Sequence, residues 1–188
     1  MRSFIAIELP ESTLNLLVKL QKEFRTCGAD VRWVKPGSIH LTLKFLGNIN
    51  ENNVDDIVKI LQRVSRKFEP FNITLSGIGV FPTNRSPRVL WVGIDRNDSL
   101  KQLQNDIEED LSLLGFEKEK RIFAPHLTLG RFKSSLGKGA LMDKIDLYQD
   151  NRFTSIDVRS VLLIRSDLGQ NGAEYTQLAE LFLRGNET

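Results

Sequence analysis

The chain holds only two histidines in 188 residues, and each opens the same tetrapeptide: His40-Leu41-Thr42-Leu43 and His126-Leu127-Thr128-Leu129. An imidazole titrates near neutral pH, so a pair of them can divide acid and base work. One ring takes a proton from a nucleophile while the other gives one to a leaving group. Thr42 and Thr128 can donate hydrogen bonds to an anionic oxygen held between the rings. Lys44 follows the first copy and Arg131 the second. Cations at that spot point to a phosphate whose charge must be held through the transition state.

Strand geometry makes the arrangement specific. Side chains alternate faces, so His40, Thr42 and Lys44 are expected on one face and Leu41, Leu43 and Phe45 on the other. The second copy sets His126, Thr128 and Gly130 against Leu127 and Leu129. By the same count Arg131 falls on the leucine face, and reaches the site only at a strand end or a twist after Gly130.

Plainer readings compete residue by residue. A single His-Leu-Thr-Leu is more often a half-exposed strand with a structural histidine; two copies that use every histidine weigh against that. Structural zinc needs four protein ligands and catalytic zinc three. Two histidines and a distant lone Cys27 supply neither unless carboxylates join, so no metal or other cofactor is expected. No G-x-S-x-G accompanies a serine nucleophile, and Cys27 reads as inert. Lys44 is as well explained as a solvated strand residue. Arg85 and Arg88 read as loop charges first and as RNA-steering groups second. Trp33, Phe45 and Trp91 read as core first and as base-stacking surfaces second.

The elements that must position these residues follow from patterning. Ser3 to Leu9 is a first strand, and Pro10-Glu11-Ser12 opens a helix with Leu14, Leu17, Val18 and Phe24 at helical spacing. Val31 to Val34 is a short strand, and Ile39 to Leu46 carries the first histidine. Asn50 caps a second helix through Phe68; Phe71 to Phe81 is a long strand that Gly77 and Gly79 bend. Residues 82–88, with two prolines and two arginines, form an exposed basic loop between halves. Val89 to Ile94 is a strand, and Asp98 caps a third helix with Leu100, Leu103, Ile107, Leu111 and Leu114 inward. Arg121 to Phe132 carries the second histidine. Ser134 to Leu147 is a loop and short helix, and strands over 155–165 and 174–183 flank a turn at 168–172. The order β-α-β-β-α-β occurs roughly twice. It predicts a single α+β domain of two pseudo-symmetric, interleaved lobes, mostly antiparallel sheet with helices outside and a central cleft.

Hydrophobic content of 40% and charged content of 27% suit a soluble globular chain. A net charge of +2 excludes a strong whole-protein field, so an anion site must come from local clustering. A lone cysteine allows no internal disulfide, and no apolar run approaches the ~20 residues of a membrane helix. A cytoplasmic monomer away from membranes is expected.

The paired H-x-T-x motifs resemble those of the two-histidine phosphoesterases. The flanks sharpen the likeness: Arg2 to Ile7, Val31-Arg32-Trp33-Val34, Lys44-Phe45-Leu46-Gly47, Arg88 to Gly93, Pro125 before His126, and Gly130-Arg131. Over about residues 2–183 these resemble the RNA 2′,3′-cyclic phosphodiesterases, also called 2′-5′ RNA ligases. The resemblance implies metal-independent opening of a 2′,3′-cyclic phosphate at an RNA end, tRNA fragments included, to leave a 2′-phosphate. It implies His40 as proton donor and His126 as proton acceptor, with Thr42 and Thr128 on the phosphate and Arg131 as a further contact. Three alternatives stand beside this: the reverse 2′-5′ ligation, a cyclic phosphodiesterase acting on a small nucleotide metabolite, and an RNA-end binding module without turnover.

Overall fold

The computed structural model describes residues 1–169 and 172–184. Its elements run β1 (Arg2–Ile7), α1 (Glu11–Arg25), β2 (Val31–Trp33), β3 (Leu41–Asn48), α2 (Val54–Ser65), β4 (Phe71–Pro82), β5 (Pro87–Ile94), α3 (Asp98–Ser112), β6 (His126–Phe132), α4 (Lys138–Asp146), β7 (Arg152–Val158), β8 (Ser160–Gly169) and β9 (Gly172–Phe182). Two antiparallel sheets result. One has four strands in the order β3-β1-β8-β9, the other five in the order β2-β6-β5-β4-β7. The α+β, two-lobed architecture matches the expectation.

The helices form because apolar residues recur at helical spacing on one face. Ile57, Ile60, Leu61 and Val64 are buried on α2, and Leu100, Leu103, Ile107 and Leu111 on α3. Each fully buried aliphatic side chain contributes about 1.5–3 kcal/mol relative to exposure. Asn97, not Asp98, caps α3, its side chain accepting from Leu100 N at 2.8 Å. Asn50 caps a short 3-10 turn at 51–53 that leads into α2.

Helices and sheets are exchanged between the halves of the chain. Helices α2 and α3 pack together and lie on the four-stranded sheet. Helix α4 lies on the five-stranded sheet; α1 joins it there, with Phe24 edge-on to Tyr148 at 5.6 Å. So α1 leaves the sheet of its neighbour β1, and α3 leaves that of β5. Buried residues from both sheets and all four helices form one continuous core.

Several elements differ from the sequence reading. The strand expected over 155–165 is broken at Arg159, and its two pieces belong to different sheets, β7 beside β4 and β8 beside β1. The basic loop narrows to residues 83–86, a hairpin turn between β4 and β5. Gly77 does bend β4: it has φ +70° and sits in a bulge between Ser76 and Ile78. Of the turn expected at 168–172, Gln170 and Asn171 lie outside the described residues. Among the described residues no helix is long and apolar enough to cross a membrane.

Candidate active site

Both histidine stretches depart from plain strand geometry at the same point. On β3, Thr42 pairs with Ala6 while Lys44 pairs with Ile5, so Leu43 is an extra residue. On β6, Thr128 pairs with Trp91 while Gly130 pairs with Leu90, so Leu129 is extra. A bulge of this kind sets two residues against one and shifts every later side chain to the opposite face.

The bulges reverse three expectations. Lys44 turns into the core, 5% exposed. Its ammonium donates to Glu108 Oε2 at 2.6 Å and to the Glu117 carbonyl at 2.8 Å, so it holds β3 to α3 and is no phosphate ligand. Phe45 turns outward at 73% exposure and lies on the Thr42 face, 6.1 Å from the Phe4 ring; the core reading for it was wrong. On β6 the same shift brings Arg131 to the face of His126 and Thr128, opposite Val89, without any strand-end twist. Leu41, Leu43, Leu127 and Leu129 are buried as alternation predicts.

Strands β3 and β6 touch across the two sheets. A buried glutamine supports the bulged leucine of each, and each comes from the other half of the chain. Gln21 on α1 donates to Leu129 O at 2.9 Å and to Val34 O at 2.8 Å. Gln104 on α3 reaches Leu43 O at a long 3.5 Å and Glu108 Oε1 at 3.2 Å. Sequence patterning passed over these residues. Their signal is a polar side chain on the apolar stripe of a helix: Gln21 four after Leu17, Gln104 four after Leu100, Glu108 four after Gln104.

The two imidazoles have unlike surroundings. His126 Nδ1 lies 2.7 Å from the Ala124 carbonyl, which can only accept, so Nδ1 carries the proton and Nε2 of the neutral ring keeps a lone pair. Phe81 stands edge-on to it at 5.0 Å and also packs on Trp91 at 5.0 Å. These three line an open pocket of about 530 Å³ together with Pro125, Gly93 and Gln149. Trp91 is half-buried, and its Nε1 has no partner among the described residues. His40 sits between Tyr175 at 5.4 Å and Phe4 at 6.1 Å, with Nδ1 buried and unpartnered among the described residues. Burial pushes its pKa below the ordinary imidazole value; the Ser38 backbone, out of hydrogen-bond geometry, and the Glu8 carboxylate oppose the shift.

Trp33 is half-buried against the core, with Arg25 stacked 5.5 Å over its ring, as a core reading expects. Cys27 is a free, half-buried thiol. Arg88 is exposed; Arg85 is too, and its carbonyl accepts from Lys138 at 2.8 Å. No three His, Cys, Asp or Glu side chains converge as a metal site among the described residues.

The family model described as LigT like phosphoesterase matches the chain over residues 7–91 and again over 92–175. The chain belongs to the LigT-like phosphoesterases. It is therefore a phosphoesterase by family. It is similar to RNA 2′,3′-cyclic phosphodiesterase of Methanocaldococcus jannaschii, 35% identical over 96% of this chain and 99% of that one. The namesake protein of Archaeoglobus fulgidus is 35% identical over 95% and 98%. A solved Thermus thermophilus protein superposes with a TM-score of 0.85 at 30% identity over the full length of both chains. The two matched segments of this LigT-like chain carry one His-Leu-Thr-Leu each.

Proposed function

We propose that this LigT-like phosphoesterase hydrolyses 2′,3′-cyclic phosphate ends of RNA to 2′-phosphomonoesters by paired histidine catalysis, without a metal. The reading rests on one observation, the His-Thr strand that occurs twice with its bulge in the same place. The names of the archaeal relatives supply the substrate class.

Thr42 and Thr128 donate to the non-bridging phosphate oxygens, and Arg131 offers a fork of N–H groups to the same anion. His126 Nε2 takes the proton of a water whose oxygen attacks phosphorus. The P–O3′ bond breaks, and the departing 3′ oxygen takes the proton that His40 carries, leaving a 3′-hydroxyl and a 2′-phosphate. Burial favours neutral His40 in the free protein. A bound phosphate anion pulls the other way and loads the ring with the proton it must deliver. Exposed Phe45 offers a flat apolar surface for a base.

The experiment is turnover of a nucleoside 2′,3′-cyclic phosphate in EDTA by the wild type, His40→Ala and His126→Ala. The expected result is full wild-type activity and a loss of at least ~10²-fold in each variant. Full activity in either variant overturns the two-histidine mechanism, and loss of wild-type activity in EDTA overturns metal independence.

A further inference from the structure

Arg32 on β2 and Arg131 on β6 are direct cross-strand partners. Both are exposed. Like charges set opposite each other destabilise a sheet, and such a pair normally borrows a carboxylate. Neither arginine has one among the described residues. The nearest acid in sequence, Asp30, is already taken by Lys133 at 3.7 Å and by the Ser134 hydroxyl at 2.7 Å. Lys44 shows the contrast, a cation of the same motif neutralised within the fold.

The pair is placed to meet the substrate. Arg131 shares a face with Thr128 and His126 because of the bulge at Leu129, and Arg32 shares that face through its register with Arg131. Counted on the partner strand β5, from Trp91 to Val89, Arg131 lies about 7 Å along β6 from Thr128, and Arg32 about 4.8 Å further out on the next strand. One reacting phosphodiester carries one negative charge, which Thr42, Thr128 and Arg131 are enough to hold. The second guanidinium calls for a second anion beside the first.

We propose that Arg32, paired with Arg131, forms a second anion subsite that takes the phosphodiester next to the cyclic end. A 2′,3′-cyclic phosphate closes the 3′ end of its chain, so this neighbour is the linkage on the 5′ side of the terminal nucleoside. A mononucleoside cyclic phosphate has no such group. The subsite therefore makes the enzyme prefer an RNA end over a free cyclic nucleotide. The inference rests on the cyclic phosphodiesterase reading above.

The test compares two dinucleotides ending in a 2′,3′-cyclic phosphate, one with an ordinary phosphodiester linkage and one with an uncharged methylphosphonate. The readout is the ratio of their kcat/KM values, for the wild type and for Arg32→Met. The wild type is expected to favour the charged linkage roughly tenfold, the worth of one charge-assisted contact, and Arg32→Met to bring the ratio close to one. Thermal unfolding without substrate is expected to show no loss of stability in Arg32→Met, because the substitution relieves a repulsion. A wild-type ratio near one, or a ratio unchanged by the substitution, overturns the subsite. Failure of the wild type to turn over any of the three substrates, the two dinucleotides and a nucleoside 2′,3′-cyclic phosphate alike, overturns the parent reading and the subsite with it.

Discussion

The Gln21 side chain donates to the backbone carbonyl of Leu129, 108 positions further along the chain, at 2.9 Å. Leu129 is the extra residue of the β6 bulge, so the bond fixes the point where the strand changes face between Thr128 and Arg131. Bulges are sites where a fold re-aims a side chain, and here the re-aimed one is a guanidinium.

Substituting Gln21→Leu keeps the volume and removes both N–H donors. The Leu129 and Val34 carbonyls are then left without this partner. Unfolding in urea is expected to show a loss of about 2 kcal/mol with an unchanged slope. Activity per folded molecule is expected to fall as well, since Thr128 and Arg131 flank the released bulge. An unchanged kcat/KM in the folded variant would show that the bulge keeps its shape without the glutamine.

Lys44 is predicted to matter for stability and not for phosphate binding. Lys44→Met leaves Glu108 buried without its cation, which costs about 3–5 kcal/mol. The double variant Lys44→Met/Glu108→Leu removes both charges and is expected to recover most of that loss. Denaturant midpoints of the two single variants and the double one measure it. A large rise in KM for the cyclic phosphate in the folded double variant would contradict the structural role.

The acid limb of stability should carry the mark of His40. Burial holds its folded pKa below the ordinary value of about 6.5, so the unfolded chain binds this proton more readily than the native one. The contribution of the neutral ring is fully present above that ordinary value and is lost as pH falls through it toward the lower native pKa. Replacement by His40→Gln is expected to flatten this slope, read as thermal midpoints from pH 7.5 to 5. Titration of the imidazole by NMR should also show the native pKa rising when inorganic phosphate is added.

Gly79 is predicted to tolerate no side chain. A Cβ there would lie 2.5 Å from the Trp91 ring, which packs with Phe81, the neighbour of His126. Gly79→Ala must displace that ring, with an overpacking cost of about 1–3 kcal/mol. The expected outcome is a shifted tryptophan emission together with lowered turnover. Unaltered emission and activity would show that the aromatic wall does not position His126.

The amino-acid sequence by itself determined what depends on neighbours in the chain. Helical spacing marked most of the buried stripes of α1, α2 and α3, although Leu114, expected inward, is exposed beyond the end of α3. Alternation assigned Leu41 and Leu127 to the core and His40, Thr42, His126 and Thr128 to the other face. The repeated tetrapeptide with both histidines was visible without any structure, as was the family that its flanks resemble. What lay beyond each threonine needed the tertiary structure. Counting by twos assumes an unbroken ladder, whereas a bulge exists only relative to a partner strand. For β3 that partner is β1, and for β6 it is β5, each separated from it by a helix. The same limit applies to the break at Arg159, where one apolar run is divided between two sheets by what lies beside it. Lys44 in the core, Phe45 and Arg131 on the open face, and Arg32 opposite Arg131 are all consequences of register, a relation between strands that no single stretch of sequence contains.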